Sequence, residues 1–240
     1  MPSHESQPAT DPKPDRRAAL VFVGVLLAVA GVVGVILLLT GGEDEDGEPT
    51  PVATTIECAP VEGEGGTEEC PAEIVTEPAN VTVATSEGDF EIALDVEAAP
   101  ATTTSFRTLV ENGFYDGLNF NRVVPGFVIQ GGDPLADDPQ KAGSGGPGYN
   151  VDEPVPEGTT YTQGVVAMAK TATDPAGRSG SQFFVVSGQD AGLPPDYAVV
   201  GKIASGLDTV KKIEALGVGD GPPRKEVRIE SMAVVAPGGS

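Results

Sequence analysis

The sequence predicts a mainly β fold, a closed β-barrel capped by two α-helices, preceded by one transmembrane helix and a disordered acidic linker. Three observations carry this. After residue 79, short β-rich runs recur between Gly- and Pro-rich turns, the pattern of a barrel rather than a helical bundle. Two stretches in the same region have helical spacing instead. Ahead of both stands a run of twenty-two residues, Ala18 to Leu39, with no charge and no proline, long enough to cross a bilayer as a helix.

The chain divides by composition into a tail (1–17), the apolar span (18–40), an acidic segment (41–78), one folding domain (79–236) and a short end (237–240). Lys13, Arg16 and Arg17 precede the span and Glu43, Asp44, Glu45 and Asp46 follow it. The positive-inside rule then sets the N-terminus in the cytoplasm and the domain outside, at the cell membrane. A cleaved signal peptide competes with this reading. Its apolar core is usually about 7 to 15 residues and ends at a small-residue site, and neither feature is evident here. The span has no clean G-x-x-x-G pair, so self-association through it is not indicated.

Residues 41–79 hold twelve acidic side chains and no basic one, so this stretch is expected to repel itself and stay extended as a solvated spacer. Cys58 and Cys70, with eleven residues between them, are its candidate disulfide; two free thiols are the alternative. A metal site is not expected, because two thiolates need further ligands and the only histidine is His4. The later domain has 21 acidic against 11 basic residues and no basic stripe, which argues against a nucleic-acid partner.

Within the domain, Val81–Thr85 and Phe90–Val96 flank Ser86-Glu87-Gly88-Asp89 as a first hairpin. Pro100 opens a helix that runs to about Glu111, with Phe106, Leu109 and Val110 on one face and Asn112-Gly113 as its stop. Further strands are expected at 119–124, 127–130, 164–169, 182–187, 197–203 and 226–235, and a second helix at 207–216. The Gly-rich stretch 143–148 lacks the Gly-Lys-Ser/Thr of a phosphate loop and reads as a ligand-rim loop. With no Gly-x-Ser-x-Gly elbow and no histidine in the domain, Ser-His-Asp hydrolysis is excluded. Asn80-Val81-Thr82 fits a glycosylation sequon and is read as incidental.

The run from Phe120 to Pro134 places Arg122 and Gln130 in an otherwise apolar stretch. They are eight apart, an even spacing, so on a strand they share a face with Val124 and Val128, although Pro125-Gly126 interrupts it. Arg is seldom buried unless paired. Either an apolar groove with one fixed cation and an amide, or a structural ion pair, accounts for the pattern.

This run, together with Gly180-Ser181-Gln182-Phe183-Phe184-Val185-Val186 about fifty residues later, closely resembles the two signature segments of the cyclophilin-type peptidyl-prolyl cis-trans isomerases. The resemblance covers about residues 79 to 236. It implies an eight-stranded antiparallel barrel with two capping helices, and catalysis without cofactor or metal. It also implies residue roles: Arg122 catalytic with Gln130 close to it, Gln182 on the substrate backbone, and Phe127, Val128, Phe184 and Leu193 lining the proline pocket. Ala169 and Lys170 fall where the family has an Ala-Asn pair whose backbone meets the peptide, and Tyr197 stands in the place of a rim His. Departures from the family pattern are the absence of tryptophan, Lys170 for Asn, Val128 for Met, and longer loops at 135–149 and 171–180. These bear on affinity and sequence preference.

The chemistry suits the residues. Amide resonance sets a barrier of roughly 18–20 kcal/mol to prolyl rotation, and a site that binds the twisted amide better than either planar form lowers it. A donor aimed at the proline nitrogen does this as that nitrogen gains a lone pair, and Arg122 is always protonated. The expected function is isomerisation of X-Pro bonds in unfolded or extended secreted and envelope proteins. A non-catalytic proline-peptide binding module is the alternative, and a structural envelope protein a weaker third. No oligomer is indicated.

Overall fold

The computed structural model describes residues 55–238. The tail, the apolar run with its transmembrane expectation, the first part of the acidic segment and the last two residues lie outside them. No helix among the described residues is long and apolar enough to cross a membrane. In chain order the described elements are β1 (Cys58–Pro60), β2 (Asn80–Thr85), β3 (Gly88–Leu94), α1 (Pro100–Glu111), β4 (Arg122–Val124), β5 (Val128–Gly131) and β6 (Tyr149–Asp152). They continue with β7 (Val165–Met168), β8 (Arg178–Ser179), β9 (Phe183–Val186), β10 (Val199–Ser205), α2 (Leu207–Glu214) and β11 (Ile229–Val235).

Eight strands form one curled antiparallel sheet in the order β11-β2-β3-β10-β7-β9-β5-β4. Its end strands, β4 and β11, share no ladder, so the closed barrel expected from the sequence is a curled sheet with a seam. The reason lies at β4, where the Val123 N–H on the outer edge donates to Gly221 O at 2.8 Å. The loop before β11 thus occupies the edge that β11 would have laddered. The segments leading into the two strands bridge the seam instead. Asn119 pairs with Arg228, Phe120 N–H donates to Val227 O at 2.9 Å, and Ile229 N–H to Leu118 O at 2.8 Å.

Helix α1 starts where its sequence says it should, at a proline whose missing N–H costs nothing in the first turn. Glu153, from the loop after β6, accepts the Thr102 N–H at 3.0 Å and satisfies one of the turn's orphan donors. Its face of Phe106, Leu109 and Val110 is buried. Helix α2 packs near β3, β4 and β5 and buries Val210 and Ile213.

The sheet interior is filled from inward-facing positions, with Phe183 at its aromatic centre. Its ring meets Phe106, Tyr115 and Phe120 edge-on at centroid distances of 5.6, 5.7 and 6.1 Å, a favourable arrangement of ring quadrupoles. The buried Tyr115 hydroxyl donates to Ser181 O at 3.0 Å.

A second sheet of three strands, β1-β6-β8, lies outside the sequence expectations. Its strand β1 comes from the acidic segment, so the solvated spacer expected over 41–78 does not hold for its described part. Cys58, Ala59 and Pro60 pair with Val151, Asn150 and Tyr149. Farther on, Val75 N–H donates to Thr104 Oγ1 of α1 at 2.9 Å. Cys58 and Cys70 are joined by a disulfide with Cα atoms 6.2 Å apart. The docking is made mainly by backbone groups, with Glu68 accepting the Asn112 side-chain N–H at 2.9 Å, while Glu57, Glu62 and Glu69 point to solvent, so acidic composition does not oppose it.

Phe183→Ala removes the ring around which three others pack, and it should destabilise the domain by about 3–5 kcal/mol. The readout is a lower urea midpoint at unchanged m value. A loss below about 1 kcal/mol would contradict this account of the interior.

Candidate active site

In an antiparallel sheet, directly opposed residues face the same side. Val123, Ile129, Val185 and Val166 are successive partners across β4, β5, β9 and β7, and all are fully buried inside. Their neighbours must therefore face outward. Arg122 opposes Gln130, Gln130 opposes Phe184, and Phe184 opposes Ala167. The adjacent outward row is Val124, Val128 and Val186. Arg122 and Gln130 do share a face, but through a hairpin across the Pro125–Phe127 turn rather than along one strand.

That turn is held from below. The Glu214 carboxylate of α2 accepts the Gly126 N–H at 2.7 Å and the Ser187 hydroxyl at 3.0 Å, and Gly126 has φ 75°, open to glycine at no steric cost. Phe127 is thereby carried to the edge of an outward apolar cluster. Val128 and Phe184 form its floor at 2% and 4% exposure, together with Tyr161 and Ala167, while Phe127, Ala169, Leu193 and Tyr197 surround it half-buried. The Tyr197 ring stands edge-on to Phe184 at 5.5 Å and to Tyr161 at 5.8 Å. The Tyr161 hydroxyl donates to Tyr197 O at 2.8 Å and accepts the Tyr197 N–H at 2.9 Å, fixing that side.

Beside this hollow runs a polar row. Arg122 Nη1 donates to Gln130 Oε1 at 3.3 Å, Gln130 Nε2 to Gln182 Oε1 at 3.1 Å, and Gln182 Nε2 to Gly145 O of the Gly-rich loop at 2.8 Å. From the other side Asp220 grips the guanidinium in a fork, Nε to Oδ1 at 2.5 Å and Nη2 to Oδ2 at 3.0 Å. The guanidinium carbon also lies 5.8 Å from the centre of the Phe127 ring. The hydrogen bond to Asp220 raises the Arg122 pKa further against its partial burial, and the same bond holds the Asp220 carboxyl below its usual range.

With side-chain exposures of 32% and 65%, this ion pair lies at the surface. Its contribution is orientation more than stability. An arginine has five N–H donors, and three are engaged by Asp220 and Gln130. Two remain, one on each terminal nitrogen.

Ala169 and Lys170 lie at the end of β7, where Ala169 N–H donates to Gln182 O at 2.8 Å. The Lys170 ammonium donates to Asp174 O at 3.2 Å and sits 5.5 Å from the centre of the Tyr197 ring. All the site residues expected from the sequence thus fall on one outward face. Cys58 and Cys70 are separate from it, in the strap formed by the acidic segment. Among the described residues, no three His, Cys, Asp or Glu side chains are grouped as metal ligands.

Asp220, Tyr161 and Glu214 escaped the sequence reading. Gly219-Asp220-Gly221 before two prolines reads only as a loop, and nothing local ties it to an arginine 98 residues away.

Comparison with known proteins agrees with this geometry. The sequence pattern of the family described as "Cyclophilin type peptidyl-prolyl cis-trans isomerase/CLD" matches residues 80–234. The chain is similar to peptidyl-prolyl cis-trans isomerase B of Bacillus subtilis, 42% identical over 142 residues, covering 58% of this chain and 90% of that protein. It is also similar to peptidyl-prolyl cis-trans isomerase A of Dickeya dadantii, 34% identical over 175 residues, covering 69% and 89%. Among solved structures it resembles a Cryptosporidium parvum cyclophilin-type isomerase crystallised in the presence of the dipeptide Ala-Pro, with TM-score 0.58 and 27% identity, covering 65% of this chain and 99% of that one. A curled eight-stranded sheet with two helices, an outward apolar hollow bordered by an oriented guanidinium, and these likenesses together establish that the chain belongs to the cyclophilin-type peptidyl-prolyl cis-trans isomerases.

Proposed function

We propose that Arg122 selects the twisted prolyl amide, and that Asp220 and Gln130 orient it for that task. The observation that carries this is the pair of guanidinium N–H groups left over beside the apolar hollow. A proline ring seated over Phe184 and Val128, against Phe127 and Leu193, brings its nitrogen to the polar row. As the amide twists, that nitrogen loses conjugation and becomes an acceptor, which a free N–H of Arg122 meets only in the twisted state. Gln182 and the backbone of Ala169 and Lys170 hold the flanking peptide. No covalent intermediate is needed, because the bond order of the amide returns when the twist relaxes.

The setting belongs to the same proposal. The apolar run 18–40, with basic residues before it and acidic ones after, anchors the enzyme with its domain outside the cell membrane. Tethering raises its local concentration where secreted and envelope proteins emerge unfolded.

On an Ala-Pro peptide followed by NMR exchange, Arg122→Ala in the full chain should lower kcat/KM by about 10²- to 10³-fold. Asp220→Asn should lower it by about tenfold, the loss falling on kcat with KM little changed. Peptide binding without acceleration in the native chain would support the binding-module reading instead.

The charge states set a pH profile. Arg122 is raised and Asp220 is lowered from their ordinary values. The pair is therefore intact above the ordinary carboxylate range of about 4 and is lost as pH falls through the depressed Asp220 value. For a neutral peptide, kcat/KM should be flat from about pH 6 to 9; a sigmoidal rise in that window would reveal a base absent from this mechanism.

The anchoring is read by fractionation of cells expressing the full chain. It should stay with membranes through alkaline carbonate, and added protease should reach its domain in cells stripped of their wall. Release by carbonate, or protection from protease, would overturn the topology.

A further inference from the structure

The polar row that orients Arg122 ends on a main-chain carbonyl, Gly145 O, which accepts a Gln182 Nε2 hydrogen at 2.8 Å. That carbonyl lies in the segment 143–148, Gly-Ser-Gly-Gly-Pro-Gly, and glycine has little conformational preference of its own. Its direction is therefore set by what the segment touches. On one side stands the buried Asp133, whose carboxylate accepts the Leu135 N–H at 2.8 Å and also the Gly143 N–H. On the other lies the strap between Cys58 and Cys70, which precedes the residues 80–234 matched by the family. We propose that the strap is a positioning element of the isomerase acting through Gly145 and Gln182, and that the Cys58–Cys70 disulfide is its clasp, so that reduction slows isomerisation. The inference rests on the isomerase reading of the groove.

Main-chain hydrogen bonds join the strap to the residues just after Gly145. Gly146 N–H donates to Glu64 O at 2.9 Å, Gly66 N–H to Gly146 O at 3.1 Å, Glu68 N–H to Pro147 O at 2.8 Å, and Val61 N–H to Gly148 O at 2.8 Å. The first of these decides the matter. The Gly146 N–H and the Gly145 C=O belong to one planar peptide unit and point opposite ways. The strap thus holds one edge of that plane while Gln182 is held by the other. Because each link is directional, a tilt of the plane turns the Gln182 carboxamide, and with it Gln130 and Arg122.

The contact is close but has little to sustain it. A Cβ on Gly66 would collide with Gly146 O and fall 2.6 Å from Pro147 Cα. Residues 61–69 are mostly glutamate and glycine, a composition that favours a solvated, extended chain, and β1 is only three residues long. The disulfide, with Cα atoms 6.2 Å apart, joins the two ends and limits the freedom of the undocked strap. Both cysteines are half-buried, within reach of a small dithiol. Reduction breaks the S–S bond, Cys58 and Cys70 each end as a thiol, and the dithiol leaves as its own disulfide, having given up two electrons and two protons. The chain has no other cysteine, so a reductant acts here alone.

The test uses the full chain in detergent, with kcat/KM for an Ala-Pro peptide measured by NMR exchange before and after treatment with a dithiol. Reduction should lower kcat/KM by about fivefold or more, and re-oxidation should restore it. Heteronuclear spectra should show the Gln182 side-chain amide shifting, while the backbone amides of Val123, Ile129 and Val185 stay in place. Gly66→Ala, which leaves the cysteines untouched and forces the strap off Gly146, should give the same loss and the same shift. In a Gln182→Ala background, reduction should change kcat/KM by less than about twofold. An unchanged rate on reducing the native chain, a loss that persists in full with Gln182→Ala, or a loss accompanied by movement of the sheet amides would each overturn the proposal while leaving the isomerase standing. Failure of the oxidised native chain to accelerate the peptide would overturn the isomerase reading and the strap's role with it.

Discussion

The two-residue period of an antiparallel strand is the constraint on which the rest of this molecule depends. Each strand of the curled sheet must commit one set of side chains to the interior, which Val123, Ile129, Val185 and Val166 fill. The alternate set is then delivered to the outer face in aligned rows whether or not it is useful there. Arg122, Gln130 and Phe184 stand in one such row because their inward neighbours are needed for the core. Stability and site are two faces of the same ladders.

The outer face then has to manage a cation beside an apolar hollow. An arginine left to itself would either point into water or collapse over Phe127. Here Asp220 takes one edge of the guanidinium, Gln130 takes part of the other, and Phe127 lies against it. A chain of side-chain amides carries this order onward through Gln182 to the Gly-rich loop. The row is therefore more than a list of neighbours, since each donor in it leaves the next group oriented and two guanidinium N–H groups are left beside the apolar hollow.

The strap shows how a segment of extreme composition can still become architecture. Its glutamates count strongly toward an extended chain, yet its backbone finds the open edge of β6 and the glycines at 145–148, which offer carbonyls and close approach. Pairing of main chain to main chain is indifferent to side chains that point away. Two of its acidic side chains turn inward: Glu64 packs against Gly146, and Glu68 accepts the Asn112 side-chain N–H at 2.9 Å.

Much was legible in the residues themselves. The order of the eight main-sheet strands and the two helices, the proline start of α1, and its buried face of Phe106 and Leu109 all follow from period, turn chemistry and propensity. These act over a few residues and leave their marks locally. What only the tertiary structure decided is where the chain returns: Asp220 to Arg122 across 98 residues, Gly221 onto the edge of β4, and the acidic strap onto β6. Those contacts are made by one carboxylate or by main-chain groups in irregular loops, which have no periodicity to read. Their partners are set by the course of the curled sheet, so they exist only once it has formed.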